Sequence, residues 1–379
     1  MTSTAPAAEP SATPTAAPST AAPSTTAPST AAPSTAIVTG VSGVTGRAIA
    51  AELVSRGWRV VGLSRRPPEA PGPGEHRAVD LSDPGRARDG LADLTDATHL
   101  FHCAFDGRGA YADQVAPNLA LLTHAAEALS AATENPLHVN LMQGTKVYGS
   151  HIGPFETPAR EDDPRHMPPN FYYDQEDYLR AGASQNRWTW SAARPHAVCG
   201  FALGTPMNLV MGIGVYAAIS KALDLPLRFP GSAGAWNALY QVCDAAHLAR
   251  AAVWMATDPA CADEAFNIVN GEPFRWRRLW PVLAEAMDMP AGPPKPLPLT
   301  QFMADKAPLW DAIVQEHGLR PTPYAEAAAW PFMDYVWATD WDCVSSMRKA
   351  RAHGFREEVD DAEMFARLLT GLREAKVLP

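Results

Sequence analysis

Lysine is scarce in this 379-residue chain: only six of its 31 basic residues are lysines, at positions 146, 221, 295, 306, 349 and 376. Each lysine kept in such a composition asks for a reason, and Lys146 stands directly after a strand-like apolar run. Cysteine is sparse too. The five cysteines, Cys103, Cys199, Cys243, Cys261 and Cys343, are odd in number, scattered and without metal-ligand spacing. That excludes a disulfide framework, implies no metal, and fits small buried thiols kept reduced. No apolar run reaches the roughly twenty residues of a membrane span, and no basic start leads into an apolar stretch. Neither a membrane anchor nor a secretory signal is read, and a cytoplasmic location is the expectation. Basic segments are missing as well. With a formal net charge of −10 and no basic stripe interleaved with aromatics, the chain offers no surface to nucleic acid or an anionic membrane.

What is present falls into two materials. Over residues 1–35 the unit Ala-Pro-Ser-Thr begins at Ala17, Ala22, Ala27 and Ala32, a five-residue period with almost nothing to bury. This tail is expected to be disordered. The rest, in a chain that is 46% hydrophobic, can bury a large core.

The clearest motif opens that second material. A strand-like run over 36–41 enters a turn with glycines at 40, 43 and 46, followed by a helical pattern over 44–56 with Ile49, Leu53 and Val54 on one face, then Gly57 and a second strand-like run over 58–63. Glycines there let backbone approach a pyrophosphate at a helix N-terminus, so Thr39, Gly40, Ser42, Gly43, Val44, Thr45 and Gly46 are read as a dinucleotide cradle. Where an NAD enzyme places a carboxylate for the ribose hydroxyls, this chain has Ser64, Arg65 and Arg66. Guanidinium forks match a phosphate, so the cofactor reading is NADPH/NADP+; the plain alternative is two solvated arginines.

Further strand-like runs at 76–79, 98–103, 137–142 and 188–193 alternate with helical stretches such as 118–132. The pattern is that of an α/β, Rossmann-type doubly wound parallel sheet over 36–200, with a smaller, mostly helical substrate region over 201–379 interleaved with the last sheet elements. Ligands of such sheets lie at the carboxyl ends of the strands. That rule adds Asp80, Leu81, Ala104, Gln143, Lys146, Pro195 and Val198 to the cofactor list, Asp80 and Leu81 toward the adenine.

Lys146 is the first candidate catalytic residue, since an ammonium near the nicotinamide ribose can hold its hydroxyls and lower the pKa of a neighbouring phenol. The phenol is expected from Asn170-Phe171-Tyr172-Tyr173, which starts a helix with an acidic first turn. The common dehydrogenase spacing, Lys four residues after Tyr, fails: Glu176 and Asp177 occupy those positions. A Tyr–Lys pair must come from two segments, and the residues alone leave Tyr172 and Tyr173 as equal candidates.

The series Gly40-Val41-Ser42-Gly43-Val44-Thr45-Gly46, Ser64-Arg65-Arg66, Gln143-Gly144-Thr145-Lys146-Val147-Tyr148-Gly149 and Asn170-Phe171-Tyr172-Tyr173 resembles that of the progesterone 5β-reductase and iridoid synthase family. Matching segments continue through Arg194-Pro195, Met207-Asn208-Leu209-Val210 and Trp276-Arg277-Arg278-Leu279-Trp280, so the likeness covers roughly residues 36 to 379. The resemblance implies an atypical extended short-chain dehydrogenase/reductase that uses NADPH to reduce the carbon–carbon double bond of enones and enals. It implies Tyr172 as the catalytic phenol, Lys146 as its partner, and conjugate hydride transfer with the enolate stabilised by Tyr172.

Candidate pocket walls are Phe105, Tyr148, Phe155, Met207, Tyr216, Trp236 and Phe332, near motif ends or in the apolar C-terminal half, each with plain core packing as the alternative. Ala104-Phe105 departs from the Thr-Trp pair of the plant members, and the segment after Lys146 is about two residues longer on the same comparison with the family. His151 and His196 are read as structural imidazoles, and Glu161-Asp162-Asp163 as a solvated loop. The expected partner is a small-molecule enone or enal; a homodimer is left open. Three rival functions stand: a carbonyl reductase or alcohol dehydrogenase, a redox-neutral epimerase or dehydratase, and a non-catalytic NADP sensor.

Overall fold

The apolar runs read as strands assemble into one parallel sheet. A computed structural model of the chain describes residues 1–2, 34–67, 72–205 and 207–379, so the Ala-Pro-Ser-Thr tail over 3–33 lies outside the described residues. Strands β1 (Thr35–Thr39), β2 (Arg59–Ser64), β3 (Glu75–Ala78), β4 (Ala97–His102), β5 (Leu137–Met142) and β6 (Trp188–Pro195) are joined by a last strand, Glu264–Ile268. Across the sheet the order is Glu264–Ile268, β6, β5, β4, β1, β2, β3, every pairing parallel. The order reverses between β1 and β4, which splays the loops after those strands apart and leaves a crevice at their carboxyl ends. Thr35 belongs to β1, one residue inside the stretch assigned to the tail; it is 2% exposed and its hydroxyl donates to Asp96.

Helices cover both faces because the central strands β1, β5 and β6 are buried along nearly their whole length, whereas the edge strand β3, Glu75-His76-Arg77-Ala78, is not. One face packs α1 (Val44–Ser55) and the helix Ala245–Thr257 over a core that includes Val38, Ile49, Leu53, Leu248 and Phe266. Val54, expected on the buried stripe of α1, is 41% exposed and points to solvent. The other face packs α2 (Pro84–Leu91), α3 (Tyr111–Ala132) and α4 (Phe171–Ser184) over Ile37, Leu100, Leu122 and Trp190. Helix α3 begins seven residues before the expected start at 118, with Pro117 inside it. Ahead of the proline the helix start is tied down: the Asp113 carboxylate accepts the Ala110 N–H, and the Gln114 amide donates to the Gly107 and Gly109 carbonyls. A third core, around α5 (Leu209–Ala222), Phe229, Trp276, Trp280 and Trp337, is built from residues 199–378.

The turn after β1 is set by close approach. Gly40 has φ +66°, and a Cβ there would stand 2.7 Å from the Cys103 carbonyl oxygen at the end of β4. A Cβ on Gly46 would overlap the Gly40 carbonyl, so α1 can start against the turn only with glycine at that position. Gly46→Ala should therefore destabilise the protein by about 1–3 kcal/mol through forced backbone shifts. Chemical denaturation checks this, and an unchanged midpoint contradicts the close approach.

Candidate functional site

The carboxyl ends of β1, β2, β4, β5 and β6 frame two hollows that share Gly40, Ala104 and Phe105 and so form one groove. The wider cleft, about 1000 Å³, is lined by Ser42, Arg47, Ser64, Arg65, Arg66, Leu81 and Phe201 among others. The narrower cavity, about 360 Å³, is lined by Gly43, Val44, Thr45, Gly46, Gln143, Lys146, Tyr172, Pro195 and Val198. Two residues read as cofactor contacts line neither hollow. Thr39 is buried, and its hydroxyl accepts the N–H groups of Cys103 and Ala104, fixing the exit of β4. The Asp80 carboxylate is turned to the backbone and hydroxyl of Ser82.

Tyr172 is the second residue of α4, and Lys146 sits in the short 3₁₀ turn Thr145–Tyr148 that follows β5. Asn170 ties them. Its Oδ1 caps α4 by accepting the Tyr172 N–H at 3.1 Å, while its Nδ2 donates to the Lys146 carbonyl at 2.7 Å. The Tyr172 carbonyl is held as well, by Gln143 Nε2 at 3.2 Å. Gln143 accepts from Arg194 Nε at 2.9 Å, and Arg194 pairs with Glu176 at 2.9 Å. Burial works against the Glu176 charge, but Arg194 and the hydrogen bonds around it hold that carboxyl below its usual range.

Geometry separates the two tyrosines. The Tyr173 hydroxyl donates to the Val147 carbonyl at 2.7 Å and accepts the His166 N–H, so Tyr173 is a packing residue. The Tyr172 hydroxyl has no hydrogen-bond partner among the described residues, and the residue lines the cavity. Burial, with Tyr335 nearby, raises its pKa, so the phenol keeps its proton. Burial lowers that of Lys146, whose ammonium lies 5.2 Å from the centre of the Tyr111 ring. Burial is the largest cause of the shift in both groups.

The residues present fit a bound dinucleotide. The turn lines the groove with Gly40, Gly43 and Gly46, which put no side chain between a pyrophosphate and the backbone, and Arg65 and Arg66 line the cleft with no ion pair to any described residue. A PRISE-like Rossmann-fold domain profile matches residues 80–379. This chain belongs to the PRISE-like Rossmann-fold family. The PRISE-like chain is 34% identical over 367 residues to an (S)-8-oxocitronellyl enol synthase of Camptotheca acuminata, covering 91% of this chain and 93% of that one. It is 32% identical to a 3-oxo-Δ(4,5)-steroid 5β-reductase of Arabidopsis thaliana, with the same coverage of each. Among solved structures its fold matches the UDP-glucose 4-epimerase of Thermus thermophilus in complex with NAD, with TM-score 0.61, 18% identity and coverage of 90% and 99%. That likeness concerns the fold alone.

Of the expected pocket walls in this PRISE-like protein, Phe105, Met207 and Phe332 line the cavity. Tyr148, Phe155, Tyr216 and Trp236 do not, a correction with a packing reason for each. Tyr148 is 2% exposed, and its hydroxyl donates to Asn267 and accepts from Arg194, with Phe155 stacked on its ring. The Tyr216 hydroxyl donates to the Arg228 carbonyl, and Trp236 packs on Phe229 in the third core. Glu161 is not a solvated carboxylate either: it accepts the Asn267 N–H at 2.7 Å, and burial raises its pKa. His196 lines the cavity as a neutral imidazole, its pKa pushed down to about 3 by burial, bonded to Ser345. Residues missed from the sequence include Arg47 in the cleft and Ser150, Gln175 and Tyr335 in the cavity. Gln175 carried a signal, three residues beyond Tyr172 and beside Glu176, the position checked for a lysine. No helix among the described residues is long and apolar enough to cross a membrane.

Because Asn170 is both the cap of α4 and the tie to Lys146, Asn170→Ala should cost about 1–2 kcal/mol of stability. Denaturation of the purified variant measures it; a loss below about 0.3 kcal/mol, that of a neutral surface change, contradicts the double role.

Proposed function

We propose that this PRISE-like chain reduces the carbon–carbon double bond of activated enones or enals with NADPH. One observation carries the reading: Tyr172, whose phenol has no partner among the described residues, and Lys146 line a cavity that joins the glycine turn and the Arg65–Arg66 pair. The relatives support it, since the name of one specifies reduction of a 3-oxo-Δ(4,5)-steroid, a double bond conjugated to a ketone.

When bound, the dihydronicotinamide supplies a hydride. Tyr172 donates its O–H to the carbonyl oxygen, where negative charge gathers as the β-carbon is reduced, and the developing enolate is stabilised. A phenol kept protonated by burial is a donor and not a base, which suits this role. Lys146, in the 3₁₀ turn that Asn170 ties to the start of α4, holds the ribose hydroxyls; solvent supplies the proton at the α-carbon.

With cyclohexenone, a citral-type enal or progesterone, NADPH oxidation should yield the saturated carbonyl compound, identified by mass and by the loss of the alkene. Tyr172→Phe should lower kcat about 100-fold or more while leaving the NADPH Kd within about twofold. An allylic alcohol as product, or an unchanged kcat, contradicts the mechanism. Because burial moves the Tyr172 ionisation above the ordinary phenol value of about 10, kcat should show no alkaline loss from tyrosine up to about that pH.

Arg65→Ala combined with Arg66→Ala should raise the NADPH KM by about tenfold or more and narrow the preference over NADH. Steady-state kinetics with both cofactors test this, and an unaltered preference rejects the 2′-phosphate assignment.

A further inference from the structure

Gln175 lies three residues past Tyr172 on α4, nearly one helical turn on and on the same side. It is 1% exposed and lines the cavity, yet only half of its amide is satisfied. Nε2 donates to the Asn118 backbone carbonyl of α3 at 2.9 Å, while Oε1 is buried without a hydrogen-bond partner among the described residues. The orientation of the amide is forced, because turning it over would set two carbonyl oxygens against each other. A buried acceptor left unpaired is costly, and in a cavity wall the missing donor is expected from the ligand.

The chemistry of the missing donor narrows the choice. Oε1 can only accept, so its partner brings an O–H or N–H, and an enone carbonyl brings neither. In the common dehydrogenase spacing the residue one turn past the tyrosine serves the cofactor ribose. Here Glu176, at the fourth position, is turned away to Arg194 at 2.9 Å, and Gln175, at the third, faces the cavity with Lys146 and Tyr172. We infer that Gln175 Oε1 accepts a hydrogen bond from a hydroxyl of the nicotinamide-side ribose, dividing the ribose contacts between an acceptor on α4 and the donor Lys146 on the turn after β5. This inference rests on the NADPH reading above.

The test is equilibrium binding to the full-length protein by titration calorimetry. Three ligands are used: NADP+, its 3-acetylpyridine analogue, which lacks the carboxamide N–H groups, and 2′,5′-ADP, which lacks the nicotinamide half. Gln175→Leu should weaken NADP+ and the acetylpyridine analogue alike, each by about tenfold, and leave 2′,5′-ADP within about twofold. Gln175→Met, flexible and similar in length, replaces it if leucine is not tolerated against α3. Unchanged NADP+ affinity overturns the inference while leaving the cofactor reading intact. Equal weakening of all three ligands means a packing role and also overturns it. An effect on NADP+ that vanishes with the acetylpyridine analogue moves the contact to the carboxamide and overturns the ribose assignment. Wild-type protein that binds none of the three fails the NADPH reading itself.

Discussion

Arg194 and Glu176 form an ion pair in which each side chain is only about 5% exposed, and the arrangement of the groove depends on it. Taking two charges out of water is expensive and is offset only when the remaining hydrogen-bonding capacity is filled. Here it is. Arg194 also bonds Gln143, the Tyr148 hydroxyl and the Glu161 carbonyl, and Glu176 also accepts from Gln143 and Arg180. The pair thereby joins the end of β6, the exit of β5, the 3₁₀ turn and α4, the four segments whose relative placement defines the narrow cavity.

That network answers a problem posed by the missing Tyr-x-x-x-Lys spacing. A tyrosine and a lysine on one helix are aligned by the helix itself. A pair taken from a turn and a separate helix needs a tie, and Asn170 and Gln143 provide one on each side of the Tyr172 peptide. The position on α4 that a lysine would occupy is then open to Glu176 as an anchor, and its neighbour Gln175 faces the cavity. The departure from the common pattern is thus distributed over several buried polar residues, none of which is a charge looking for solvent.

Local signals made most of the fold legible. Each of the six strands read from the sequence lies within two residues of its observed ends, because alternating apolar runs and glycine turns are local properties. The glycine cradle was legible for the same reason. Tyr172 was separated from Tyr173 only by resemblance, since the difference lies in which hydroxyl meets Val147, a contact 26 positions away along the chain. Pocket walls were the least legible. Lys146 and Tyr148 share one short turn, yet the first faces the cavity and the second is directed into the ion-pair network toward Asn267, 119 positions on. Residue type does not encode that direction, and tertiary contacts decide it.

The central claim is that Tyr172 and Lys146 are held together at the nicotinamide end of a dinucleotide groove. A crystal structure of the protein with NADP+ tests it most directly. The account predicts the 2′-phosphate between Arg65 and Arg66, the pyrophosphate against the turn from Gly40 to Gly46, and the nicotinamide ribose beside Lys146 with the Tyr172 hydroxyl facing the ring. A dinucleotide seated elsewhere, or Tyr172 and Lys146 apart on opposite sides of an empty cavity, contradicts it.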